Sequence, residues 1–233
     1  DPTTAENQAA PTASEPSADQ EADASDQPTA PPWLLTGLTG AGCILAGGLF
    51  EVLRRRRRAQ FRARRPGRTI SVPPPHLAPV EKTILTTGAV AAPTVTFIAG
   101  ALRLLAASVE GPVPVLTAVQ MLPGQLRVVL RQPAELSGPW RPTDPTPDAT
   151  RWTIATDAEL AAASCRDPYP LLVTAGLAEG GSTWMVNLEQ LGTVSLTGDS
   201  TYAGDFARYL AAEIAISPWA GEVRLECVGV AAE

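Results

Sequence analysis

The sequence predicts an α/β fold: a single transmembrane helix followed by a small cytoplasmic α/β domain with a degenerate P-loop-like strand-loop-helix-strand unit. Three observations predict it. Residues 33–53, WLLTGLTGAGCILAGGLFEVL, carry one charge, Glu51. As a helix rising about 1.5 Å per residue they cover roughly 30 Å, the thickness of a bilayer core. Nine of the eighteen Lys and Arg residues then crowd into 54–68, RRRRRAQFRARRPGR. Beyond them, short apolar runs alternate with Gly and Pro turn signals and one strongly periodic helical stretch.

Glycine is frequent in 33–53, which weakens a helix in water but suits a membrane helix, where small residues allow close approach. A signal peptide carries its positive charge before the apolar run, and here the charge comes after it. The basic flank sets orientation: the chain before the helix lies outside, and the chain after it is cytoplasmic. Glu51 is placed to pair with Arg54 or Arg55 one turn on. The small-residue spacings at Thr36, Gly40, Gly42 and Ala46 allow a homo-oligomer without requiring one.

Residues 1–32 hold seven acids and no base. They lack aromatic residues and have nothing to bury, which reads as a disordered extracytoplasmic linker. The chain opens on Asp rather than Met, as expected of a processed or excised piece. Residues 54–80 read as a basic juxtamembrane segment and a stiff Pro-rich linker through Pro73, Pro74 and Pro75. Arg54, Arg55, Arg56, Arg57, Arg58, Arg62, Arg64, Arg65 and Arg68 are the candidate membrane-surface residues. Each contributes about 1 kcal/mol of attraction to anionic lipid headgroups.

Residues 81–233 form the expected cytoplasmic domain. Acids outnumber bases from residue 69 onward, so direct nucleic-acid binding is not expected. Residues 81–109 are apolar, but Pro93 and Arg103 argue against a second membrane pass. Thr94 is a plausible helix cap, and Val95, Ile98, Leu102, Leu105 and Val109 share one helical face, predicting a core-packed helix. Two β-rich runs flank Pro123-Gly124, which predicts a hairpin. Residues 133–150 read as a loop. Trp152–Ala155, Leu171–Leu177, Thr183–Leu188, Val194–Leu196 and Val223–Val230 read as strands, Asp157–Ala163 as a helical turn, and Tyr202–Ile216 as a helix.

Residues 193–230 run strand, TGDSTYAGD, helix, turn, strand, the order of a phosphate-binding loop. The pattern GxxxxGK[ST] is not met. Gly198 and Gly204 are one residue too far apart, and Asp205-Phe206 replace the Lys and hydroxyl that would neutralise phosphate and hold magnesium. Asp199 and Asp205 put negative charge where an anion would sit. The single histidine, His76, lies in the linker, so no Ser/His/Asp set exists, and Cys43, Cys165 and Cys227 lack metal-ligand spacing. No cofactor, metal or catalytic residue is implied, and the chain is not read as an enzyme.

The stretch from PLLVTAGLAEGGSTWMVNLEQLGTVSLTGD to IAISPWAGEVRLECVGV resembles the opening of an FtsK/EccC-type ATPase domain, with the lysine missing. The single pass, the LRRRRR block, RRPGR, LEQLGTVSLTGD and IAISPWAGEVRL together resemble the central region of large actinobacterial single-pass membrane proteins. Those proteins carry LysM and bacterial transcriptional activator (BTAD) domains elsewhere. That resemblance implies a membrane-anchored, non-catalytic regulatory or scaffolding module of a larger signalling protein, with an unknown protein partner. The competing expectation is a fragment of a membrane-tethered translocation ATPase.

Overall fold

The computed structural model describes residues 32–63, 74–144, 146, 148–161, 167–221 and 223–230, with side chains from Ala41 onward. The expected acidic linker therefore lies outside the described residues, as do Arg64, Arg65, Arg68 and Cys165. The described residues build three helices and a six-stranded antiparallel sheet. Helix α1 runs Pro32–Ala63 and helix α2 runs Ala78–Ala107, led by a 3-10 turn at Pro75–Leu77. Strands β1 (Leu116–Leu122), β2 (Gln125–Leu130), β3 (Arg141–Pro142), β4 (Arg151–Ala155), β5 (Leu172–Leu177) and β6 (Thr183–Asn187) come next, and helix α3 (Ser200–Ile216) comes last. The sheet order is β3-β4-β2-β1-β6-β5.

The helix of the apolar segment does not stop at Leu53. It continues through the arginine run to Ala63, so this part of the expected linker is helical. Arginine is a good helix former, and Glu51 accepts a hydrogen bond from Arg55 Nε one turn on at 3.0 Å.

α1 and α2 pack antiparallel. A Cβ built on Gly88 would lie 2.6 Å from the Ala46 carbonyl oxygen, and one on Gly47 2.9 Å from Val95 Cγ2. The two glycines are what let the backbones approach this closely. Ala41 and Ile44 are buried, Ile44 joins the sheet core, and Gly48 lies against Ile216 of α3. One face of the apolar segment, from Ala41 on, is thus taken by the domain rather than left free for lipid.

α2 forms as a core-packed helix: Val95, Ile98, Ala101, Leu102 and Leu105 are fully buried against the sheet. It runs through Pro93 instead of starting after it, so Thr94 is interior and caps nothing. Arg103, the charge in this apolar stretch, pairs with Asp167 at 2.8 Å inside the domain. Among the described residues, one helix, Pro75–Ala107 with its leading turn, is long and apolar enough to cross a membrane by length and composition.

The predicted hairpin forms. Pro123-Gly124 joins β1 to β2, and Gly124 has φ +75°, as the third position of a tight Pro-Gly turn requires. β5 and β6 pair across the AEGGS turn, and β4 pairs with β2. The 133–150 loop supplies the two-residue edge strand β3 and the buried Trp140. Thr156–Ala158 form a turn and Glu159–Leu160 are irregular rather than helical, and the rest of that expected segment reaches into residues that are not described.

Two expected strands are corrected. Val194–Leu196 and Val223–Val230 form no ladder, and Val228 is 92% exposed. The degenerate P-loop-like unit therefore has its loop and helix without its flanking strands. The reason lies at the sheet edge. The outward-facing Thr174 N–H of β5 donates to Glu213 Oε2 at 2.8 Å, and the Leu172 carbonyl accepts from Trp219 Nε1 at 2.8 Å. A seventh strand on β5 would need those same backbone groups, and side chains of α3 and the turn after it already hold them.

Candidate functional site

The arginine-bearing end of the α1–α2 hairpin is the candidate site. Arg54, Arg55, Arg56, Arg57, Arg58 and Arg62 are all exposed on α1, spread around its last three turns. Arg55 pairs with Glu51, and Arg57 with Glu81 at the start of α2. Arg54, Arg56, Arg58 and Arg62 have no acidic partner among the described residues. Helical geometry thus holds the cations in a fixed array.

Sequence reasoning missed the apolar surface beside that array. Leu53, Phe61, Leu77, Val80 and Leu85 are exposed at this same end, Phe61 by 60%. Between α1 and α2 lies a cleft of about 300 Å³. The exposure of Phe61 was legible as an isolated aromatic within an arginine run. The cleft was not, because it needs the α2 partner.

The loop residues Gly198, Asp199, Gly204 and Asp205 are brought near one another only as neighbours at the start of α3. Asp199 is the N-cap: its Oδ1 accepts from Thr201 N at 2.9 Å and Tyr202 N at 3.1 Å. The amide groups that would grip a phosphate are therefore occupied by a carboxylate. Asp205 pairs with Arg208 one turn on, at 2.7 Å. His76 is exposed in the turn before α2. Among the described residues no group of three metal-ligating side chains converges.

A second polar cluster was invisible in the sequence. Glu213 of α3 is 1% exposed. Its Oε1 accepts from Thr174 Oγ1 at 2.6 Å, and its Oε2 accepts from Thr174 N–H at 2.8 Å and Tyr209 O–H at 2.8 Å. Burial pushes the Glu213 carboxyl above its ordinary range, and the three donors only partly oppose this. Burial, helped by the neighbouring carboxylate, also pushes the Tyr209 hydroxyl up, so it stays protonated and donates. Three donors converging on one carboxylate from both its own helix and a strand edge lock α3 onto β5.

Comparison with protein-family models, with curated proteins and with solved structures finds no match for this chain.

Proposed function

We propose that this chain is a membrane-anchored, non-catalytic scaffolding or regulatory module, whose arginine-bearing hairpin end faces an anionic leaflet and whose sheet domain presents a surface to a protein partner. One observation carries the reading. A single helix passes without a break from an apolar stretch into a run of exposed arginines, most of them without acidic partners among the described residues. Apolar length followed at once by cationic charge is the pattern that inserts a helix and fixes its direction, with the cationic side inward. The anionic headgroups of the inner leaflet then neutralise the arginines. A non-catalytic role is supported by the acids of the degenerate loop, which cap and pair within α3.

Anchoring has a structural requirement. If residues 33–53 cross the bilayer, α1 must give up the packing that Ala41, Ile44 and Gly48 make with the domain and that Ala46 and Gly47 make with α2, and lipid must replace it.

Protease protection tests the reading on the full chain in sealed cells. The chain should stay with the membrane pellet after alkaline carbonate extraction. Protease added outside should trim the first thirty residues and leave the sheet domain intact. A chain recovered in the aqueous fraction without detergent, or a domain digested from outside, overturns it.

A further inference from the structure

The cleft between α1 and α2 combines two features that neither helix has alone. Its wall is overwhelmingly apolar: Phe50, Leu53 and Phe61 from one face of α1, Ile84 and Leu85 from α2. Its rim carries Arg54, Arg57 and Arg58, opposed by the single carboxylate of Glu81. Arg57 is already tied to Glu81, which leaves Arg54 and Arg58, one helical turn apart, without an acidic partner among the described residues. The lining therefore has two uncompensated positive charges directly over apolar surface.

A free phosphate would satisfy the two guanidinium groups and leave the apolar wall wet. An uncharged chain would fill the wall and leave two cations beside hydrocarbon. An amphiphile with an apolar tail and a phosphate head satisfies both, because guanidinium groups bind phosphate oxygens through paired N–H donors.

We propose that the cleft binds one anionic phospholipid, with part of an acyl chain between Leu53, Phe61 and Leu85 and the phosphate held by Arg54 and Arg58. A cavity of about 300 Å³ sits at the small end of ligand sites and takes part of one chain, the remainder lying outside the cleft. The cleft exists with α1 docked on α2, so this goes beyond the membrane-anchor reading and does not need residues 33–53 to cross the bilayer. It differs from general attraction to a charged surface in requiring a defined stoichiometry and an apolar contact.

The test uses the full chain purified in a neutral detergent and titrated with dioctanoyl phosphatidylglycerol, read by native mass spectrometry. Dioctanoyl phosphatidylcholine and glycerol phosphate are the two controls. One saturable molecule of the anionic lipid is expected, with the zwitterionic lipid at least about tenfold weaker and glycerol phosphate not retained. Ile84→Trp, which fills the cleft, and the exposed double change Arg54→Gln with Arg58→Gln should each weaken binding about tenfold or more. Equal binding of the two lipids, retention of glycerol phosphate, or unchanged binding by the arginine double variant overturns the proposal. The arginine variant decides if Ile84→Trp lowers the melting temperature. Carbonate extraction of the same variants reports separately on the anchor: a chain that leaves the membrane yet still binds one anionic lipid fails the first reading and keeps this one.

Discussion

Glu213 gives the fold a pH dependence of unusual sign. Most native carboxylates are held below their ordinary range and stabilise a protein above it. Here burial holds the carboxyl above that range, so the folded chain binds the proton more tightly than the unfolded chain does. The contribution is fully present below the ordinary carboxylate value, about pH 4, and is lost as pH rises through the raised value. Glu213→Gln removes the titration and keeps the shape: its carbonyl accepts from Thr174 N–H and Tyr209 O–H, and its amide donates to Thr174 Oγ1. Denaturant unfolding of both proteins across about pH 4 to 8 checks this. The native protein should lose stability relative to the variant as pH rises, with a slope bounded at about 1.4 kcal/mol per pH unit. A flat difference would mean that the carboxyl titrates normally. No sequence pattern announces this residue. A glutamate on a helix that also carries Asp205 and Arg208 reads as one more solvent-facing charge, and only the free edge of β5 explains why it turns inward.

Among elements, those that depend on local chemistry were legible and those that depend on a distant partner were not. Pro123-Gly124 specifies its turn whatever surrounds it, so the β1–β2 hairpin stands where the sequence put it. The helical face from Val95 to Leu105 is a period within one segment, and it forms the core. Val223–Val230 has the composition of a buried strand, yet a strand needs an open edge, and β5 has none to offer. α1 shows the same limit. Its apolar length was plain, but its fit to α2 depends on Gly47 and Gly88 meeting opposite backbone. Gly88→Ala puts a methyl group 2.6 Å from the Ala46 carbonyl and 2.7 Å from Phe50 Cβ, and backbone on both sides has to move. Overpacking of this kind costs about 1–3 kcal/mol. With α1 docked, in water or in detergent, a melting temperature several degrees lower is expected. If the variant melts with the native protein, α1 and α2 are not in contact under those conditions, and the α1 helix has its apolar face elsewhere.

At the scale of the whole molecule, charge is segregated more sharply than the net value of −6 conveys. An acidic leading segment, a cationic helix end and an acidic domain succeed one another along the chain, and the described arginines of the middle block, Arg54–Arg58 and Arg62, are exposed. Intramolecular pairing was available, since the domain has an excess of carboxylates, and among the described residues the arginines at the end of α1 pair only with Glu51 and Glu81. The exposure of the arginines was legible in the sequence, because five consecutive arginines on a helix cannot share one face and some must meet solvent or a surface. The apolar company of those arginines was not legible there, since it forms only once α2 folds back beside them. The two contributions separate by salt. Surface attraction of exposed charges is screened over about 8 Å at physiological ionic strength and over about 3 Å at 1 M, whereas apolar insertion is not. Flotation of the full chain with vesicles containing phosphatidylglycerol should therefore survive about 1 M salt. Changing Arg54 through Arg58 to Gln should lower the vesicle-bound fraction at low salt by an amount that disappears at high salt, about 1 kcal/mol for each charge that reaches the surface. Complete release of the native chain by salt would leave the arginines as the sole attachment and remove the apolar helix from the account.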